Sequence, residues 1–129
     1  YIFNDRMMMA AGVADSNNCA LLIFSSVVSR AADTRGILDA GSKTFTSDTG
    51  GLEGFGLILE HPKAHIQQMA EEHGFLDLSD CETKPLIGDI LRVIPNHVCV
   101  VVNMFDQLVA VRDNVIVDVL PVTARGKLV

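Results

Sequence analysis

The residues best suited to chemistry in this 129-residue chain stand in one short stretch, Pro95-Asn96-His97-Val98-Cys99. An imidazole and a thiol offer one borderline and one soft ligand, a pair that suits zinc. If the stretch is extended, side chains at i and i+2 leave the same face of the strand. His97 and Cys99 would then project together, with Val98 turned the other way. Two protein ligands leave the remaining positions to water, substrate or a distant residue. Such an incomplete shell is what a catalytic metal requires. Two other readings of the same residues stand beside this one. Cysteine is among the most buried residue types and histidine is often a satisfied core or surface group, so the pair can be purely structural. It can also be a nucleophile and its base, which needs direct hydrogen-bond contact and a third residue to orient the base. Neighbours on one strand face stand side by side, which disfavours that arrangement.

Other candidates are weaker. Glu71-Glu72-His73-Gly74 lacks the H-E-x-x-H spacing of a zinc protease. His73 could add a ligand or orient one, but the cluster reads as a solvated segment ending at Gly74. His61 and His65 are four apart and would share a helix face. Pro62 between them and the polar surroundings favour surface positions. Gly50-Gly51-x-x-Gly54-x-Gly56 has neither the Lys-Ser/Thr of a P-loop nor a strand-to-helix context, and reads as a flexible loop. Met7-Met8-Met9 reads as packing in the core or at a subunit interface.

The elements that must position these residues are mostly strands. Residues 19–29, CALLIFSSVVS, form a long β-branched apolar run between turn-rich flanks. A short strand is expected over Gly36–Asp39, and others over Lys43–Thr46 and Gly54–Glu60. His61–Leu78 is mixed: Ala64, Ile66, Met69 and Ala70 allow a turn or two of helix, which Gly74 ends. Ile90–Ile94 and His97–Asn103 read as strands, as do Leu108–Arg112 and Val115–Leu120. The last two are joined at Asp113-Asn114, residues that tolerate positive φ in a hairpin turn. Many short strands separated by turns predict a mostly-β domain, a small barrel or sandwich with one or two short helices.

Bulk properties bound the function. The length suits one compact domain over residues 1–129, and 49% hydrophobic residues allow a core without disulfides. A net charge of −6 argues against nucleic acid and anionic membrane surfaces, both of which attract Lys/Arg clusters. The three cysteines, Cys19, Cys81 and Cys99, are odd in number and unclustered, so reduced thiols and a cytoplasmic setting are expected. No apolar run approaches the ~20 residues that span a bilayer. Asp5 precedes the apolar Met7–Ala14 stretch with no basic segment, unlike a secretory signal. The opening YIFND has no initiator Met and suggests a piece of a longer protein.

Several stretches together resemble one family. They are YIFND at 1–5, CALLIFSSVVSR at 19–30, ILDAGSKTFTSD at 37–48, EEHGFL at 71–76, GDILRVIPNHVCVVVN at 88–103 and TARGK at 123–127. In this order they resemble the C-terminal domain of D-serine dehydratase and D-threonine aldolase enzymes, which are fold-type III pyridoxal-phosphate proteins. The resemblance covers almost the whole chain, and IPNHVC with the upstream DAGSK is its most specific part. It implies a separate N-terminal α/β barrel, absent here, that supplies the cofactor lysine and phosphate site. It implies that the β-domain supplies a His and, two residues later, a Cys or Asp as metal ligands, matched by His97 and Cys99. It further implies a homodimer, zinc or another divalent metal, and a β-hydroxy D-amino acid substrate. A dehydratase outcome on D-serine would give pyruvate and ammonia; D-threonine aldolase and D-threo-3-hydroxyaspartate dehydratase activities are the alternatives. With no barrel, none of Lys43, Lys63, Lys84 or Lys127 fits the cofactor lysine, so the isolated chain is expected to be inert. The reading of another class is a free-standing β-barrel that binds a partner and performs no chemistry.

Overall fold

The computed structural model describes residues 2–127; Tyr1, which opens YIFND, lies outside them. A short helix, α1 (Arg6–Ala10), leads into β1 (Ile23–Ala32) and β2 (Arg35–Leu38). A single helical turn, α2 (Ser42–Phe45), follows, then β3 (Leu57–Ile58), β4 (His65–Met69), β5 (Gly74–Asp77) and β6 (Ile90–Ile94). The chain closes with α3 (Val98–Val102) and the hairpin β7 (Gln107–Arg112) and β8 (Val115–Pro121).

β3 and β4 are the edges of a six-stranded antiparallel sheet ordered β3-β6-β1-β2-β5-β4. β1 makes the curl possible. Its first half pairs with β6, from Ile23 opposite Val93 to Ser26 opposite Ile90. Its second half pairs with β2, and register shifts after Val27 and Ser29 bend it between the two partners. The two edges then come together, because Phe55, just ahead of β3, donates its N–H to Ile66 O of β4 at 3.1 Å. The result is a nearly closed barrel. Gly56 belongs to this seam: its φ is +138°, and a Cβ there would stand 2.6 Å from Val93 Cγ1. The glycines of 50–56 are thus partly a requirement of closure.

Alternation places one face of each strand inside. Val27, Leu38, Ile66, Leu76, Leu91 and Val93 are at most 2% exposed and fill the barrel. Each such side chain contributes about 1.5–3 kcal/mol by leaving water. Ser25 also points inward, and its hydroxyl is satisfied by donating to Asp39 Oδ1 at 2.7 Å.

Three sequence expectations are corrected here. Lys43–Thr46 is the helical turn α2 and its cap, with the first N–H groups donated to Ala70 O and Glu71 O. His61–Leu78 contains no helix; its apolar spacing resolves into the hairpin β4–β5, with Ile66 and Leu76 facing inward. His97–Asn103 is not a strand but carries α3, for a reason given below. The expected hairpin at the C-terminus stands as read: Asp113 and Asn114 have φ of 52° and 62°.

Candidate metal centre

β6 delivers the chain to the site and two other segments hold it there. After Ile94, the Pro95 carbonyl accepts from Arg6 N at 3.1 Å, and the Asn96 carbonyl from Met7 N at 3.2 Å. The Asn96 side chain is buried and fully used. Its amide donates to Gly54 O at 2.8 Å and Thr49 O at 3.3 Å, and its Oδ1 accepts from Arg6 Nη1 at 2.6 Å. Arg6 Nη1 also reaches Glu53 O at 3.0 Å. The loop ahead of His97 is therefore clamped between α1 on one side and the 49–54 loop on the other.

His97 is the N-cap of α3, extended at φ −136° and ψ 105°, and Cys99 is the second residue of the helix. The picture of two side chains on one strand face is therefore replaced by a pair that straddles the start of a helix. Cys-Val-Val-Val is a poor helix sequence by propensity. Two things outweigh that. The carboxylate of Asp5, 1% exposed, accepts the first helical N–H, Val98 N, on Oδ2 at 2.8 Å. Val98 and Val101, three apart on one helix face, are each buried to 1% exposure.

His97 Nδ1 lies 2.6 Å from Asp48 Oδ2. When Nδ1 carries the proton for this contact, Nε2 carries the lone pair, the state in which imidazole binds a metal. Asp48 is itself oriented, because its Oδ1 accepts from Gly50 N at 2.9 Å. The His97 contact first, and the Gly50 N–H second, hold the Asp48 carboxyl below its usual 3.8. Cys99 is half-buried and lines, with Thr46, Asn103, Met104 and Arg125, a cavity of about 500 Å³. The other two thiols are buried, and burial pushes Cys19 and Cys81 up. Cys99 is thus the most accessible of the three.

The donor chemistry fits a divalent cation in an open site. One imidazole nitrogen is held against a carboxylate, and one sulfur borders a cavity. Among the described residues no group of three or more His, Cys, Asp or Glu side chains forms a closed metal cage. The remaining candidates stand apart. His73 is exposed in the β4–β5 turn, while Glu71 and Glu72 hold Lys43 at 3.0 and 2.6 Å. Lys43 is thus a solvated, ion-paired lysine. His65 opens β4 and shares no helix face with His61. Met7, Met8 and Met9 lie in α1, half-buried, with Met7 against Gly50. Sequence reasoning passed over Asp48 and Asp5 as site residues. Both lay in quoted stretches, Asp48 closing ILDAGSKTFTSD and Asp5 closing YIFND.

A mostly-β domain with a carboxylate-oriented histidine and a nearby thiol is the class that fold and site define. Residues 20–111 match the family described as "Putative serine dehydratase domain". The chain is 36% identical over 131 residues to an uncharacterized protein of Mycobacterium tuberculosis, covering 98% of both. It is 36% identical over 107 residues to D-threonine aldolase of Arthrobacter sp., covering 83% of this chain and 27% of the aldolase. The solved D-threonine aldolase from Filomicrobium marinum superposes with a TM-score of 0.81 at 25% identity, over 98% of this chain and 35% of that one. D-threo-3-hydroxyaspartate dehydratase from Delftia sp. HT23 gives 0.81 at 26% identity, over 92% of this chain and 36% of that one. The chain thus spans about a third of these two solved enzymes. The dehydratase has been solved as a His-to-Ala variant and, in a metal-free form, as a Cys-to-Ala variant, at positions two residues apart. The chain belongs to the family of D-serine dehydratase and D-threonine aldolase C-terminal domains, part of the fold-type III pyridoxal-phosphate enzymes.

Proposed function

We propose that this chain is the metal-binding β-domain of a pyridoxal-phosphate lyase that acts on a β-hydroxy D-amino acid, with His97 and Cys99 as its ligands. The observation that carries the proposal is the 2.6 Å contact from Asp48 to His97 Nδ1, two residues before a thiol that borders a cavity. With Nδ1 held by Asp48, Nε2 would be the nitrogen left for a cation, and the clamped Asn96 loop would hold that orientation. A divalent cation bound there, zinc above all, would supply Lewis acidity to the substrate's β-oxygen. Pyridoxal phosphate, carried by the rest of the enzyme, would stabilise negative charge at Cα. The β-domain's own part is to position the ligand pair and to present its cavity to the barrel and a partner subunit. Support for such docking comes from β7–β8, whose Val109, Val111, Ile116, Val117 and Val119 are all exposed. So many exposed apolar side chains on one two-stranded hairpin suit an interaction surface.

Within that class, a D-serine dehydratase is the reading we favour. The soft His/Cys pair supports a dehydratase, and the solved relative with a cysteine variant in metal-free form is itself a dehydratase. The test is the full-length protein with pyridoxal phosphate and zinc, offered D-serine, D-threonine and D-threo-3-hydroxyaspartate in parallel, with products followed by NMR. Pyruvate and ammonia from D-serine, lost in His97→Ala and Cys99→Ala, are the expected result. Glycine and acetaldehyde from D-threonine would replace the dehydratase reading with an aldolase. Deamination of hydroxyaspartate alone would move the substrate assignment. The isolated chain should turn over none of the three.

One observation favours a second reading. The mycobacterial relative is covered over 98% of its length, so this domain also occurs without a fused barrel. A chain of that size would act as a separate subunit or as a binding module. No turnover of any of the three substrates, with or without added barrel protein, would favour the module.

A further inference from the structure

Asp5 serves two helices at once. Its Oδ1 accepts from Met8 N at 3.0 Å and so caps α1 locally. Its Oδ2 accepts from Val98 N at 2.8 Å, a bond that spans 93 residues of sequence. The carboxylate is 1% exposed, so neither N–H has water as a ready substitute. Val98 stands between His97 and Cys99, and its N–H is the hinge between the extended cap residue and the first helical turn. Two further bonds from the same segment, Arg6 N to Pro95 O and Met7 N to Asn96 O, lock the residues immediately before it.

We infer that Asp5 is a positioning residue for the His97–Cys99 pair: its carboxylate sets the angle between the two ligands by capping α3 from the N-terminal segment. The inference rests on the metal reading proposed above. Without the Oδ2 bond, the Cys-Val-Val-Val run has no local cap, since His97 makes no side-chain cap bond, and its β-branched residues favour extension. Cys99 would then leave the second helical position, and the two ligands would no longer share one cation.

Asp5→Ser separates the two roles. A serine hydroxyl caps its own helix as well as aspartate does, but it is too short to span to Val98 as well. The experiment titrates cobalt(II) into the full-length protein and reads the thiolate-to-cobalt charge-transfer absorption, with amide exchange of Val98–Val102 measured in parallel. Asp5→Ser should weaken cobalt binding on the order of tenfold and speed exchange in α3, while Met8–Ala10 stay protected. Asp5→Ala should weaken binding at least as much and also deprotect α1. Leu76→Val, destabilised in the barrel core on β5, should bind cobalt like the parent and thus separates positioning from general loss of stability. If Asp5→Ser binds like the parent while His97→Ala does not, the inference is overturned and the metal site survives it. If the parent shows no thiolate band, the metal reading itself fails and takes the inference with it.

Discussion

Two valine-rich stretches of this chain meet opposite fates. Val98–Val102 coils into α3, while Val115–Pro121 is extended in β8. By composition they are near twins, VCVVV against VIVDVLP. The difference lies outside both segments. α3 is entered through a buried aspartate that takes its first N–H, and it buries Val98 and Val101, the latter within the barrel's core cluster. β8 has a two-residue turn with positive φ at its start and a partner strand paired with it from Val115 opposite Arg112 to Pro121 opposite Gln107, with one register shift between Ala110 and Val111. Local β-propensity is decisive where nothing competes with it, and is overruled where a distant carboxylate supplies a cap and a core supplies burial.

The sharpest way to break this comparison is to remove the cap. Asp5→Ala loses two hydrogen bonds and leaves the buried Val98 N–H without a partner, which should cost about 2–4 kcal/mol. Urea unfolding of the chain measures it. A loss below about 0.5 kcal/mol would mean that burial of Val98 and Val101 alone specifies α3.

Next in size is Asp48→Asn, which keeps the volume beside His97 and removes the charge. Metal affinity, read by competition with a chromophoric chelator, should fall by about 10–100-fold. The hairpin offers the matching control: Ile116→Lys on the exposed face should leave affinity unchanged. The same substitution should reduce self-association of the chain, seen by sedimentation, with a stability change within about 0.5 kcal/mol.

Acid should act on the barrel before it acts on the hairpin. Burial works to raise Asp39, but the hydroxyl of Ser25 and the N–H of Ser26 outweigh it and hold the carboxyl below 3.8. A group depressed in this way gives stability that is present above its unfolded value and is lost as pH falls through its folded value. The stability of the chain should therefore decline below about pH 4, and Asp39→Asn should flatten that decline. Thermal unfolding between pH 3 and pH 6 would show it.

The smallest effects carry the sign of the comparison. Val100→Leu, in α3, replaces a β-branched residue with a better helix former and should stabilise by a few tenths of a kcal/mol. Val117→Leu, in β8, should destabilise by about as much. Equal signs at the two sites would show that the segments do not differ in their preference.

Much of the fold was legible because the barrel strands alternate. Ile23, Ser25 and Val27 point inward along β1, as do Leu91 and Val93 along β6, and the pattern is local to each strand. The hairpin was legible from Asp113-Asn114 between two β-branched runs. α3 was not, because its cause is a residue 93 positions away. β4 was misread because its inward Ile66 happens to sit at helical spacing from Met69 and Ala70. Of the candidate site, the sequence offers His97 and Cys99 as residue types in a family-like motif. Asp48 was not, since its contact to His97 spans 49 residues and no spacing rule connects them.

The central claim is that His97 and Cys99 hold one divalent cation, and metal content tests it most directly. The full-length protein would be purified from zinc-supplemented cells, dialysed, and measured by inductively coupled plasma mass spectrometry beside His97→Ala, Cys99→Ala and Ile116→Lys. The account predicts stoichiometric zinc in the parent and in Ile116→Lys, and none in the other two. Zinc retained equally in all four proteins, or absent from the parent, would contradict it.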